Sequence, residues 1–318
     1  MKQWIARWEA YWFPTTPVVD LALCRIIAVA SQLTFFFPSL DEHLNLLRKN
    51  PVFIEPQVLI RAIAAVVPRG EFFTPSVFTA LYWVTAIAGV ATLIGLATRV
   101  AAFVFALGTW IFVSHLFSYG DRHHTEAIFC IFLLLLAFSP SGDALSVDAY
   151  VRRRRGRPRS AVADTAIWPL KLVHVLLGLS YFSAGMSKLI TGGPRWLNGY
   201  TLQNHAFQDA VYRGFPVGMW LAQHHHLAIL LSVFTIFFEV FFFVSLFVPW
   251  TQPLFFMGGL LFHIGLYATG GYDFFQHMVL LVLLLLFVAP PWWRTWLGRY
   301  LEVLRPRSRR AAQVHGPS

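Results

Sequence analysis

Long runs of apolar residues, interrupted by short polar stretches, dominate the pattern along this chain. A helix that crosses the hydrocarbon core of a bilayer needs about 20 predominantly apolar residues. By that measure the pattern predicts eight spanning helices, which cover residues 17–37, 77–97, 100–118, 124–140, 167–190, 226–248, 254–272 and 276–290. The fourth of these segments is short, which leaves open a tilted or partly re-entrant helix.

The stretch 51–68, between the first and second predicted spans, has an intermediate character. Glu55 and Arg61 interrupt an apolar pattern there, which is typical of an amphipathic helix that lies on the bilayer surface. A helix that only connects two spans and a helix that covers a site both fit this pattern.

Composition supports the same fold class. Of the 318 residues, 57% are hydrophobic and 13% are charged, whereas soluble domains have about 45–50% apolar and about 25% charged residues. We therefore predict an all-α polytopic transmembrane bundle of about eight helices with one interfacial helix, in contact with the lipid bilayer. The transmembrane domain is expected to cover 1–292, followed by a basic cytoplasmic tail over 293–318.

The net charge of +10 would suggest nucleic acid in a soluble protein. Here the arginines concentrate in the stretch 152–159 and in the tail. Basic residues in short loops mark the cytoplasmic side of a membrane protein, so these arginines predict its orientation and require no nucleic-acid partner. The resulting topology is a multi-pass protein of the cell (inner) membrane with both termini in the cytoplasm. Anionic lipid headgroups are a compatible partner for the same arginines.

In this topology most of the histidines lie in loops on the outer side, which suggests a site that faces outward. Three of them are consecutive, His224, His225 and His226. Consecutive helical residues point in different directions and do not converge on one ion. The sequence also lacks an HExxH pattern, so we predict no metal site.

The predicted span 167–190 has the most informative polar pattern. His174, Tyr181 and Lys188 recur at intervals of seven residues, so they share one face of the helix. Gly178 and Gly185 have the same spacing and would allow a neighbouring helix to approach closely. Two interpretations remain open: the face lines a cavity, or Lys188 extends along the helix to the membrane surface.

Two further ionisable residues lie near mid-membrane, Glu239 in the span 226–248 and His263 in the span 254–272. Ionisable groups at that depth are costly and usually have partners or functions. An acid and an imidazole there form either a proton relay or a structural hydrogen bond. Arg25, in the first span, is expected to have a structural partner on another helix.

Three motifs, in this order, are HHTEAIFCIFLLLLAFSPSGDALSVDA, YFSAGMSKLITGGPRWLNGY and the pair of Glu239 with His263. Together they resemble the HTTM family, the membrane domain related to the vitamin K-dependent gamma-carboxylase. The resemblance extends over most of the chain. It implies that Lys188 is the base that deprotonates a reduced quinone, and that His124 (or His123) and His263 are functional. The family's site faces the lumen, in agreement with the outward clustering of the histidines.

The resemblance leads to our first hypothesis, a quinol-dependent enzyme whose cofactor is a reduced quinone similar to vitamin K hydroquinone. Lys188 would accept a proton, His124 or His263 would hydrogen-bond the substrate, and Glu239 would orient His263. The residues expected to bind the flat quinone ring are Tyr181, Trp196 and Tyr200. A protein or peptide substrate would then react. This chain differs from the animal carboxylase at the position before Lys188, where Ser187 replaces a second lysine.

The second hypothesis is a non-catalytic membrane protein, either a transporter or an accessory factor for the maturation or export of a partner. An apolar cavity beside Lys188 would favour a lipid-soluble substrate. A continuous polar path through the bundle would favour transport.

Overall fold

The computed structural model describes residues 2–50, 54–67, 72–120, 124–157, 159–290, 292–293 and 295. The predicted tail 293–318 therefore lies almost wholly outside the described residues. The helices, in chain order, are α1 (Lys2–Trp12), α2 (Val18–Phe35), α3 (Leu40–Leu47), α4 (Val58–Val66), α5 (Pro75–Ile94), α6 (Thr98–Phe117), α7 (His124–Phe138), α8 (Val147–Arg154), α9 (Trp168–Gly192), α10 (Tyr200–Arg213), α11 (Pro216–Ala222), α12 (His225–Phe241), α13 (Val244–Phe247), α14 (Gln252–Gly270) and α15 (Phe275–Phe287). Two short 3-10 helices cover Gly193–Trp196 and Pro249–Thr251, and a two-residue antiparallel ladder joins Thr16–Pro17 to Val162–Ala163.

The prediction of an all-helical, multi-pass membrane protein is confirmed. Within the described residues, five helical segments are long and apolar enough to cross a bilayer, and they begin at Val18, Pro75, Thr98, Trp168 and Pro249. A sixth is reached if α11 and α12, which meet at an angle of 104°, count as one broken span.

The predicted number of eight spans is not confirmed. Two of the predicted segments form apolar helices that are too short for a full span, α7 with 15 residues and α15 with 13 residues. The predicted span 226–248 is also interrupted, because α12 ends at Phe241 and a separate short helix, α13, follows.

The apolar side chains divide into a packed interior and an outer surface. α7, α9 and α15 contribute buried residues such as Phe132, Leu170 and Leu284 to one continuous core. On the outside of the bundle, Ile87 and Leu261 are about two thirds exposed, at 68% and 64%. Large apolar residues exposed around a helical bundle are what contact with lipid tails requires.

The stretch 51–68 is helical only in part. α4 begins at Val58, and its Ile60 is buried while Val58 and Val66 are exposed, so the helix is amphipathic as expected. Residues 51–53 and 68 lie outside the described residues. Ser118, at the end of α6, anchors the segment before α4 because its hydroxyl oxygen accepts a hydrogen bond from the Gln57 backbone N–H at 3.1 Å.

Arg25, in α2, has the structural role expected from its position inside a span. Its guanidinium is fully buried and donates hydrogen bonds to the carbonyl oxygens of Ser141 at 2.7 Å and Leu145 at 2.6 Å. Both carbonyls belong to the loop between α7 and α8, so the buried arginine fixes that loop against α2.

Asp148, in the first turn of α8, fastens the same region to the start of α6. Its carboxylate accepts hydrogen bonds from the backbone N–H groups of Ala97 and Thr98 and from the Thr98 hydroxyl, at 2.7–2.9 Å. Partial burial alone would raise the pKa of Asp148, but these hydrogen bonds and the nearby Arg152 outweigh it, so the pKa lies below its ordinary value.

Candidate functional site

The lysine on the polar face of α9 forms an ion pair inside the bundle. Lys188 Nζ donates to both carboxylate oxygens of Glu239, each at 2.7 Å. The Glu239 side chain is only 5% exposed, and that of Lys188 is 24% exposed. This geometry excludes the alternative in which Lys188 extends away from the bundle to the membrane surface.

Gly185 brings the helix of Lys188 close to the helix of Glu239. A Cβ atom at position 185 would stand 3.0 Å from the Glu239 Cβ and 2.8 Å from a Val240 methyl group. Only a residue without a side chain therefore fits between α9 and α12 at this level. The predicted close approach at Gly185 is confirmed, and it sets the register in which Lys188 meets Glu239.

A second polar pair lies deeper along α9. The Tyr181 hydroxyl and His263 Nε2 share a hydrogen bond of 2.6 Å, and both side chains are buried. The rings of Phe274 and His277 pack against the His263 ring, with centroids at 4.9 Å and 5.5 Å. Glu239 is hydrogen-bonded to Lys188, and His263 is hydrogen-bonded to Tyr181. The expected role of Glu239 in orienting His263 stays a prediction.

The remaining member of the seven-residue pattern, His174, belongs to the packing of the bundle. Its Nε2 lies 2.8 Å from the Ser245 hydroxyl oxygen, and its ring packs edge-on against Phe256. The shared face of α9 therefore has one structural end, at His174, and one end with Tyr181 and Lys188.

Both polar pairs line one cavity of about 280 Å³. Its wall is mostly apolar, with side chains such as Ala184, Leu202, Phe262 and Leu266. A small number of polar groups in a mostly apolar wall is the usual composition of a site for a small molecule. The arrangement can hold an apolar ring and can pass a proton between neighbouring groups.

Trp196 and Tyr200, both predicted to contact a ring-shaped ligand, differ in position. Trp196 lines the cavity, and Lys188 Nζ lies 5.5 Å from the centre of its ring. Gly192 makes room for that ring, since a Cβ there would stand 2.3 Å from it. Tyr200 is 63% exposed and packs on His225 instead, outside the cavity wall.

The predicted histidine at the start of the fourth segment is described only in its backbone. His124 begins α7, but its side chain, like all of His123, lies outside the described part of the chain. The structure thus brings together Tyr181, Lys188, Trp196, Glu239 and His263, and it leaves the role of His124 a prediction.

The hairpin of α10 and α11 contributes site residues that the sequence did not identify. Asp209 lines the cavity, and its Oδ1 lies 3.7 Å from Nε of Arg213 on the same helix. Burial, followed by a hydrogen bond to Asp209, raises the pKa of Tyr272, while Arg213 opposes that rise. Polar residues in a predicted loop are typical of a solvated surface, so only the spacing of Asp209 and Arg213 by four residues indicated their contact.

The histidine triplet does not form a ligand cluster. His224 Nδ1 lies 2.7 Å from the Trp220 carbonyl oxygen, and His225 Nδ1 lies 2.7 Å from Gln203 Oε1. Across the residues that the structure describes, no group of three His, Cys, Asp or Glu side chains is placed to hold a metal ion.

Fold and cavity together define a multi-pass helical membrane protein with a mostly apolar cavity in its bundle, into which two polar pairs converge. The chain belongs to the HTTM family: the HTTM domain matches residues 62–292, which is well over half of the chain and includes every cavity residue named above. No curated protein and no solved structure matches the chain.

Proposed function

We propose that this protein is a membrane enzyme that binds a reduced quinone in the cavity and removes a proton from one of its hydroxyl groups. The observation that carries the proposal is the convergence of the Lys188–Glu239 and Tyr181–His263 pairs on one mostly apolar cavity. The resemblance to the gamma-carboxylase motifs, noted from the sequence, supports the same substrate class.

The cavity fits the head group of a quinone. Its volume of about 280 Å³ is close to the lower end of the range for small-molecule sites, about 300–1,000 Å³. Phe262, Phe274 and Trp196 supply flat apolar walls for a ring, while Lys188 and Glu239 supply partners for an oxygen atom. A wall of this composition supports a lipid-soluble substrate over a transported polar solute.

The ion pair allows Lys188 to act as the base. If its proton moves to Glu239, the pair becomes a neutral amine and a neutral acid, and the amine then accepts the hydroxyl proton of the substrate. The pair carries no net charge before or after the internal transfer, so no isolated charge has to be buried. Tyr181 and His263 provide a second hydrogen-bonded group that stabilises a developing oxygen anion.

When bound, a reduced quinone would supply the electrons for the reduction of dioxygen. We propose further that the cavity faces the outer side of the cell membrane and that both termini are cytoplasmic. The arginine-rich stretch 152–159, at the opposite end of α9 from Lys188, supports this orientation. A protein or peptide substrate would react at the same outer face.

The test replaces Lys188 in the purified full-length protein, reconstituted in lipid nanodiscs, and follows oxygen uptake that depends on added naphthohydroquinone. We expect Lys188→Ala to abolish uptake and Lys188→Arg to fail to restore it, because a guanidinium does not give up its proton. Lys49→Ala, a lysine outside the cavity, is the matched control. Unchanged uptake in Lys188→Ala would refute the role of this lysine.

A further inference from the structure

One buried hydroxyl group in the cavity wall has no hydrogen-bond partner among the described residues. Ser232, in α12, is 1% exposed and lines the cavity. Within the described residues its Oγ has no hydrogen-bond partner. A serine inside a helix usually satisfies its hydroxyl through a backbone carbonyl one turn earlier, so a buried hydroxyl without any partner is unusual.

Two hydrogen-bonded pairs account for other buried polar side chains of the cavity. Glu239 is paired with Lys188, and Tyr181 shares its hydrogen bond with His263. Ser232 therefore stands out as a buried group in this wall that a ligand could complete. Its hydroxyl can either donate or accept a hydrogen bond.

The position of Ser232 indicates the shape of such a ligand. Ser232 and Glu239 are seven residues apart on α12, which places them on the same face and about 10 Å apart along the helix axis. A ligand that bonds to Ser232 and also to the Lys188–Glu239 pair therefore needs polar atoms at two separated points rather than on neighbouring atoms. Two oxygens at opposite positions of one six-membered ring meet that requirement.

We infer that Ser232 binds the second oxygen of a ligand that carries oxygens at both ends of one ring, a 1,4-quinone or its reduced form. The first oxygen lies at Lys188, where a protonated amine has three N–H groups and Glu239 uses two of them. The inference rests on the proposed function for the identity of the site, but it concerns binding and requires no proton transfer.

The test measures binding of two probes by isothermal titration calorimetry, using the purified full-length protein in nanodiscs. The probes are 1,4-naphthoquinone, which has two ring oxygens, and 1-naphthol, which has one. Ser232→Ala is expected to weaken the binding of the quinone about five- to tenfold, the effect of one lost hydrogen bond. Binding of 1-naphthol stays unchanged, which also shows that the variant is folded.

Ser187→Ala, at an exposed position of α9 outside the cavity, is the matched control and binds both probes as the unaltered protein does. Equal binding of the quinone to Ser232→Ala and to the unaltered protein would overturn the inference, and so would an equal loss for both probes. If the unaltered protein binds the quinone with this dependence on Ser232 but shows no quinol-dependent oxygen uptake, the proposed reaction is wrong and the inference about Ser232 stands.

Discussion

Substitutions at Lys188 and Glu239 test how much this ion pair contributes to the free energy of unfolding. Lys188→Met keeps the length of the side chain and removes the charge, and Glu239→Gln removes the opposite charge with little change in shape. Removing one partner of a buried ion pair typically costs about 3–5 kcal/mol, because the other charge is left buried and unpaired. The double variant leaves neither charge.

The exposed fractions of the two side chains determine how large a loss of stability we expect from each substitution. Glu239 is almost fully buried, so Lys188→Met should lower the free energy of unfolding by about 2–3 kcal/mol, less than the full amount because the Lys188 side chain is 24% exposed. A lysine that is partly exposed keeps some hydration, so Glu239→Gln should cost about 1–2 kcal/mol. The double variant should be more stable than the sum of the single losses predicts, by at least about 1 kcal/mol.

The assay is a double-mutant cycle, with unfolding followed in detergent micelles under conditions where it is reversible. The same cycle on Arg159 and Asp143, whose contact is also 2.7 Å long but whose arginine is 49% exposed, is the matched control. Its coupling should stay below about 1 kcal/mol, because Arg159 is half exposed and Asp143 keeps a second partner in Arg152. Additive losses at Lys188 and Glu239 would refute the conclusion that burial makes this pair strong.

Three further predictions concern the packing around the site and the loops that hold the bundle. Gly185→Ala should destabilise the protein by about 1–3 kcal/mol in thermal unfolding, because the new methyl group overpacks against α12. Gly265→Ala, which has nothing within 4 Å of its new methyl group, is the control and should be neutral or stabilising. Equal effects of the two substitutions would contradict this prediction. The pKa of Asp148 is lowered in the folded protein, so its carboxylate stabilises the fold above about pH 4. That stabilisation is lost as the pH falls through the lowered pKa. Asp148→Asn should therefore flatten the acid limb of a plot of stability against pH. Arg25→Met should cost about 2–4 kcal/mol in chemical unfolding, because two buried loop carbonyls lose their donor; a loss below 1 kcal/mol would show that water replaces it.

Helix periodicity explains how much of the site was predictable. The seven-residue spacing of Tyr181 and Lys188 placed both on one face of α9, and both line the cavity. The partners of that face were not predictable, because spacing within one helix does not determine its register against the next. That register depends on the contact of Gly185 with Glu239 and Val240, which brings Lys188 to Glu239.

Apolar runs predicted the class of protein better than they predicted its individual helices. The run over 226–248 reads as one span, yet α12 ends at Phe241, and the chain before it bends by 104° between α11 and α12. A hydropathy pattern shows which residues avoid water. It does not distinguish the lipid from the protein interior, because both accept the same apolar residues. Bends and short buried helices such as α15 therefore look like full spans in the sequence.

Pairing explains how a chain with so few charges keeps acids and bases inside its bundle. Glu239 meets Lys188, and Tyr181 meets His263, so the donor in each of these two pairs has an acceptor inside the protein, where a lone charge would be costly. A proton can change its position within such pairs without creating a net charge. A substrate that enters as a neutral acid satisfies the same condition, whereas a permanently charged solute would have to be paired anew. This pairing supports the proposal of a neutral, weakly acidic, lipid-soluble substrate, to which the inference about Ser232 adds a second oxygen.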